Sequence, residues 1–193
     1  VAHVTTASDV ANLELDPLAI FSFPLDEFQL EAIAALNHGH SVVISAPTGS
    51  GKTLVGEYAI HRAIAHGQKV FYTTPLKALS NQKLRDFREQ FGSQNVGLMT
   101  GDLSVNREAS IVVMTTEIFR NMLYAEADQA DDPLADVEAV VLDECHYMND
   151  SQRGTVWEES IIHCPASVQL VALSATVANA GQLTDWIERV HGP

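Results

Sequence analysis

Apolar positions along the chain form short runs that alternate with longer, spaced patterns. Runs bounded by Gly, Pro or Thr at 41–45, 70–73, 96–99, 111–114, 139–142 and 169–173 predict buried strands. Amphipathic stretches at 52–66, 76–91, 117–126, 155–163 and 181–190 predict helices. Phe28, Ile33 and Leu36 sit at helical spacing, so a further helix is predicted over 28–36, closed by a turn at 37–40. Strands that alternate with helices imply an α/β fold: a mostly parallel β-sheet sandwiched by helices. Right-handed crossovers leave the carboxyl ends of such strands on one edge, where ligand sites of these sheets lie.

Residues 1–17 are mixed and aperiodic, so 1–20 read as a lead-in segment and 21–193 as one domain. The chain has 193 residues, enough for one sizeable core and hardly for two. No repeat or low-complexity tract interrupts the alternation. The acidic cluster at 128–136 reads as a solvated loop ahead of a strand.

Composition narrows the classes. No apolar run approaches the roughly 18 residues of a membrane span, and the first residues lack the order of a signal peptide. The two cysteines, Cys145 and Cys164, make neither a disulfide framework nor a zinc-ligand set. Reduced thiols, and an intracellular setting with the cytoplasm as default and an organelle left open, are the expectation. Net charge is -14. A protein that holds nucleic acid by bulk attraction is basic, so contact here requires a local patch or another part of a larger protein.

The strongest chemical signal is at 46–53, where a β-rich run leads through Ala46, Pro47, Thr48, Gly49, Ser50, Gly51, Lys52 and Thr53 into a helical pattern. Small residues let backbone N–H groups curl round a phosphate, and the helix aims its N-terminal N–H groups at the same anion. Lys52 is expected to reach the β- and γ-phosphates of a nucleotide and Thr53 to offer its hydroxyl to Mg²⁺. The general pattern opens with Gly where Ala46 stands, so the loop must accept an ordinary backbone angle there.

The strand at 139–142 delivers Asp143, Glu144, Cys145 and His146. Beside a phosphate loop, Asp143 is expected to hold Mg²⁺ through water and Glu144 to orient and deprotonate the attacking water. His146 either bridges to a neighbouring segment or is structural. Ser174 and Thr176 close the last strand and put two hydroxyls on the same edge, which taken alone reads as a plain strand-end cap. Gln29 suits the N6 and N7 edge of adenine, and Phe23 could pack on the base; each reads equally as an ordinary surface or core residue.

These pieces occur in order: FPLDEFQ (23–29), APTGSGKT (46–53), TTPLKALSNQK (73–83), TGD (100–102), TTEIFRNML (115–123), VLDECHYMND (141–150) and LSAT (173–176). The combination resembles the first domain, a RecA-like P-loop NTPase domain, of superfamily 2 helicases. It is most similar to the DExH-box RNA helicases of the superkiller subfamily, from about residue 21 to the end.

The resemblance implies ATP and Mg²⁺ as ligands. It gives Gln29 and Phe23 to adenine, Lys52 and Thr53 to phosphate and Mg²⁺, and Asp143 and Glu144 to catalysis. His146, Ser174 and Thr176 would link hydrolysis to strand movement. Thr74, Pro75, Lys77, Gly101, Asp102, Thr116 and Glu117 would face the backbone of single-stranded RNA; Lys77 reads alone as a solvated helix-start lysine, Gly101 and Thr116 as turn and cap residues. Arg153, Gly154, Trp157 and Glu158 also fit, as structural residues. The family's motor has a second RecA-like domain whose arginines complete the ATP site, and no such segment occurs in this chain. The domain alone is therefore expected to be weakly active or inactive. DNA in place of RNA, or a non-catalytic nucleotide-binding module, are the alternatives, and accessory subunits are left open.

Overall fold

The computed structural model describes residues 15–125, 132–146, 154–175 and 180–192. The strands are β1 (Val42–Ser45), β2 (Lys69–Thr74), β3 (Val96–Met99), β4 (Ser104–Val105), β5 (Ile111–Thr115), β6 (Val137–Leu142) and β7 (Gln169–Ser174). The helices are α1 (Pro17–Ile20), α2 (Glu27–Asn37), α3 (Thr53–Ala65), α4 (Lys77–Phe91), α5 (Thr116–Ala125), α6 (Gly154–His163) and α7 (Ala180–Val190), with a 3₁₀ turn at Ser93–Asn95. They form one sheet in the order β1-β7-β6-β2-β5-β3-β4, parallel except where β4 runs antiparallel to β3.

The strand pattern explains why helices cover both faces. Successive residues of a strand point to opposite sides. Val70, Tyr72, Ile111, Val113, Val141, Val171 and Leu173 fall in one core cluster with Leu36, Val55, Tyr58 and Phe87 of α2, α3 and α4. Phe71, Val112, Met114, Val140, Leu142, Leu170 and Ala172 fall in a second cluster with Phe119, Trp157, Ile161 and Ile187 of α5, α6 and α7. Strands buried on both faces read as continuous apolar runs, as these do. Helix α3 lies close over the sheet at Gly56, where a Cβ would meet Val141, Leu173 and Tyr72 at 3.3–3.4 Å.

All six predicted strands are present, with β2 and β6 starting one and two residues earlier than the pattern suggested. The two-residue β4 and the single-turn α1 are additions. Helix α1 has its N-cap at Asp16, whose carboxylate accepts the Leu18 N–H at 2.9 Å. Within the predicted lead-in, Leu15 and Ile20 already pack on the core, and the Tyr58 hydroxyl donates to the Leu15 carbonyl at 3.0 Å.

Candidate nucleotide site

The phosphate loop joins β1 to α3 at the carboxyl edge of the sheet. Ala46 continues the strand ladder, its N–H donating to the Ser174 carbonyl at 3.2 Å. Positive φ among the described non-glycine residues occurs at Asn106 and Glu144 only, so Ala46 adopts the ordinary angle that its Cβ requires. The left-handed turns fall on Gly49 (φ 83°) and Gly51 (φ 80°). Lys52 stands at the N-cap of α3 and is buried, and Thr53 opens the helix. Pro47, Thr48 and Gly49 are exposed. The Ser50 hydroxyl is buried with no hydrogen-bond partner. A buried unpaired donor costs free energy, and a phosphate oxygen at the helix N-terminus would satisfy it.

Gln29 grips this loop from α2. Its Oε1 accepts the Asp26 N–H at 2.8 Å, and its Nε2 donates to the Gly51 carbonyl at 3.0 Å. The residue is buried. The adenine role expected of Gln29 must therefore use the second N–H and the second lone pair of an amide already engaged on both ends. Phe23 is 52% exposed, with its ring 6.0 Å from that of Phe21, so its face is open to a ligand.

Strand β7 lies between β1 and β6, so the acidic pair emerges two strand spacings from the phosphate loop, about 10 Å. Asp143 is 5% exposed. Its Oδ1 accepts the Glu144 N–H at 2.9 Å, and its Oδ2 accepts the Tyr72 hydroxyl at 2.7 Å with Lys83 Nζ at 3.9 Å. Burial, with Asp143 beside it, holds the Tyr72 phenol well above its usual range, so it acts as a neutral donor. Glu144 takes φ 55°, a left-handed angle that is costly for a bulky side chain and clusters at functional positions.

His146 bridges two segments, as one reading of the sequence has it. The Ala175 N–H donates to Nδ1 at 3.2 Å, so the ring's own proton belongs on Nε2, which lies 3.3 Å from Glu144 Oε2. Ser174 is buried, and its hydroxyl donates to the Ala175 carbonyl at 2.8 Å. Cys145 beside it is buried, and burial pushes its thiol up to about 12, leaving it unreactive at neutral pH. Thr176 and Arg153 lie outside the described residues, as do parts of the acidic cluster at 128–136. Gly154 opens α6, where Trp157 is buried against β-strand residues.

The residues expected along a nucleic-acid edge divide. Thr74 and Thr116 are buried, and their hydroxyls are engaged internally: Thr74 with Ser80 Oγ at 2.7 Å and the Leu76 carbonyl at 3.0 Å, Thr116 with the Thr74 carbonyl at 3.2 Å. In this structure those hydroxyls brace neighbouring backbone and side-chain groups. Lys77, Gly101, Asp102 and Glu117 are exposed, and Pro75 is half-buried. Lys77 pairs with Asp102, whose other oxygen accepts the Thr100 hydroxyl at 3.0 Å; these two donors lower the Asp102 carboxyl below its usual range.

Tyr72 and Lys83 were not apparent as site residues from the sequence. A signal existed: a tyrosine inside a fully buried strand needs a partner for its hydroxyl. Among the described residues no group of three or more His, Cys, Asp or Glu could hold a metal by itself. The donors at hand, the Asp143 carboxylate and the Thr53 hydroxyl, are hard oxygens. They fit Mg²⁺, which takes one or two protein ligands and completes its shell with phosphate and water. No described helix is long and apolar enough to cross a membrane.

The profile of the DEAD/DEAH box helicase family matches residues 26–183. The chain is 56% identical over 186 residues to the DExH-box ATP-dependent RNA helicase DExH15, chloroplastic, of Arabidopsis thaliana, covering 95% of this chain and 16% of that protein. It is 50% identical over 174 residues to the antiviral helicase SKI2 of Saccharomyces cerevisiae, covering 90% of this chain and 13% of that protein. The chain thus spans less than a fifth of these relatives' length. In three dimensions it is similar to the DUF1998 helicase MrfA bound to DNA and AMPPNP, with TM-score 0.72 at 20% identity over 93% of this chain and 28% of that one. This last likeness is one of fold.

Proposed function

The chain belongs to the DEAD/DEAH box helicase family, and from that premise we propose that it is the ATP-binding domain of an RNA-stimulated ATPase motor. The observation that carries this reading is the convergence of the glycine loop on β1 and the Asp143–Glu144 pair on β6 at one sheet edge, with Ala175 of the intervening segment bonded to His146. The reaction is ATP plus water to ADP plus phosphate. Loop amides and Lys52 bind the β- and γ-phosphates, while Thr53 and Asp143 are the residues that would hold Mg²⁺. Mg²⁺, when bound, neutralises phosphate charge. Glu144, half-buried and held at φ 55°, orients the attacking water and takes its proton. His146 reports the state of Glu144 to the segment after β7 through the Ala175 amide.

Lys77, Gly101 and Asp102 offer the exposed part of a track for single-stranded RNA, read through its backbone. A second RecA-like domain would close over the nucleotide and supply arginines worth roughly 10³–10⁵ in rate. Cys145 and Cys164 are buried and are not joined in a disulfide, which fits an intracellular, reducing compartment. The test uses the natural full-length protein. Lys52→Ala should abolish nucleotide binding, and Glu144→Gln should retain binding while lowering ATPase by about 10²-fold or more. RNA-stimulated ATPase surviving both substitutions would sink the assignment. Matched RNA and DNA single strands in the same assay identify the activating polymer.

A further inference from the structure

Asp143 is a carboxylate at 5% exposure, and an ionised group that deep needs compensation. The Glu144 N–H supplies part of it at Oδ1, and two side chains act at Oδ2. Tyr72 takes the close position, its hydroxyl 2.7 Å from Oδ2. Lys83, reaching in from α4, places its ammonium 3.9 Å from the same oxygen. That separation delivers charge without direct hydrogen bonding. The same ammonium lies 5.3 Å from the centroid of the Tyr72 ring and 5.7 Å from that of Phe87, both within cation–π range. The two rings meet edge to face at 4.9 Å, so they form a fixed seat. Lys83 therefore has a resting place on the aromatic faces and is drawn toward the carboxylate from it. Among the described residues it is the cation paired with Asp143.

We propose that Lys83 is a built-in counter-cation for Asp143, which neutralises the buried carboxylate when no nucleotide is bound and thereby sets the Mg²⁺ concentration at which the nucleotide site fills. The inference rests on the reading of Asp143 as the Mg²⁺-facing carboxylate. Like charges oppose each other at short range in a poorly solvated site. Lys83 thus works against a divalent cation at Asp143, and the site accepts Mg²⁺ together with a polyphosphate, whose negative charge tips the balance. The seat on Tyr72 and Phe87 holds Lys83 close enough to act and leaves the carboxylate's oxygens to other ligands. Lys83 is a positioning residue: it acts through Asp143.

The experiment titrates Mg²⁺ against binding of a fluorescent ATP analogue to the full-length protein, and melts the same proteins without nucleotide. Lys83→Met should lower the half-saturating Mg²⁺ concentration by about three- to tenfold, while Lys83→Arg stays near wild type. Without nucleotide, Lys83→Met should melt below wild type, with the gap narrowing once Mg²⁺ and analogue are bound. A merely structural lysine would lower the melting temperature and leave the Mg²⁺ midpoint alone. An unchanged or raised midpoint in a folded Lys83→Met protein overturns the proposal. If that variant does not fold, Lys83→Gln provides the same comparison under the same criteria. A wild-type protein that binds the analogue with no Mg²⁺ dependence overturns the reading of Asp143 itself, and the proposal with it.

Discussion

The Ala175 N–H donates to His146 Nδ1 at 3.2 Å, while His146 Nε2 lies 3.3 Å from Glu144 Oε2. One imidazole thus joins the proposed water-activating carboxylate to the segment that follows β7. The phosphate loop meets the same segment by separate bonds, the Ala46 N–H on the Ser174 carbonyl at 3.2 Å and the Ser45 hydroxyl on the Ala175 carbonyl at 3.4 Å. Because those bonds do not involve the imidazole, His146→Ala should leave affinity for an ATP analogue within about twofold. Strand displacement per ATP hydrolysed should fall about tenfold or more. Paired ATPase and unwinding assays on the full-length protein measure the ratio; an unchanged ratio would remove His146 from the coupling path.

Gln29 and Gly51 make a second testable pair. Gly51 has φ 80°, and a Cβ there would sit 2.6 Å from Gln29 Nε2. Gly51→Ala meets two penalties, a left-handed angle and a clash, and should destabilise the domain by about 1–3 kcal/mol. Gln29→Ala removes the clash and leaves the angle, but takes the side-chain partner from the Asp26 N–H and leaves the Gly51 carbonyl with the Leu54 N–H alone. The double variant should be less destabilised than the sum of the singles by at least about 0.5 kcal/mol, because the two changes share one contact. Thermal melts of the four proteins give the coupling, and strict additivity would show that the clash is relieved elsewhere.

Two histidines should contribute to the acid side of the stability profile. Burial lowers both His61 and His191 below the usual 6.5, with Glu57 partly opposing the shift at His61 and backbone bonds to Pro165 and Val168 opposing it at His191. A histidine whose folded pKa lies below its unfolded value binds more protons in the unfolded state. Its contribution is therefore fully present above about pH 6.5 and is lost as pH falls from there through the folded pKa. Melting temperature should drop between pH 7 and pH 5.5, and His61→Gln with His191→Gln should flatten that part of the curve. An equally steep fall in the double variant would assign the acid sensitivity to carboxylates instead.

The phosphate loop and the acidic box were legible because each is a local sequence placed by the strand before it. A glycine loop between a β-run and a helix leaves few alternatives, and Ala46 needed only an ordinary φ. The six core strands were legible for a related reason: both faces are covered, so each appears as an unbroken apolar run. Strand β4 was not, since two exposed residues carry no pattern. It depends on Gly97, where a Cβ would lie 2.0 Å from the Asn106 carbonyl. Tyr72 and Lys83 escaped notice because their tie to Asp143 spans β2, α4 and β6 and is created by strand order alone. Thr74 ends β2 and Thr116 follows β5, and their inward-turned hydroxyls depend on contacts with Ser80 and with the Thr74 carbonyl that spacing does not encode.

Lys77 and Asp102 form an exposed ion pair on the side of the molecule proposed to meet RNA. Exposed pairs contribute little to folding, so breaking this one should leave the melting temperature within about 1 °C or so. Its consequence is for binding. A phosphate that contacts Lys77 competes for its charge with the Asp102 carboxylate, which Thr100 also holds. Lys77→Ala should weaken binding of single-stranded RNA and reduce the slope of log affinity against log salt by about 0.7, the value for one phosphate contact on a single strand. Asp102→Asn removes the competing charge and keeps an acceptor for Thr100, so it should tighten RNA binding at low salt and leave the slope unchanged. Fluorescence anisotropy with a labelled single strand at several salt concentrations distinguishes these outcomes. If Asp102→Asn instead weakens binding, the carboxylate itself contacts the strand through a ribose hydroxyl, and the pair would be part of the track in place of a latch on it.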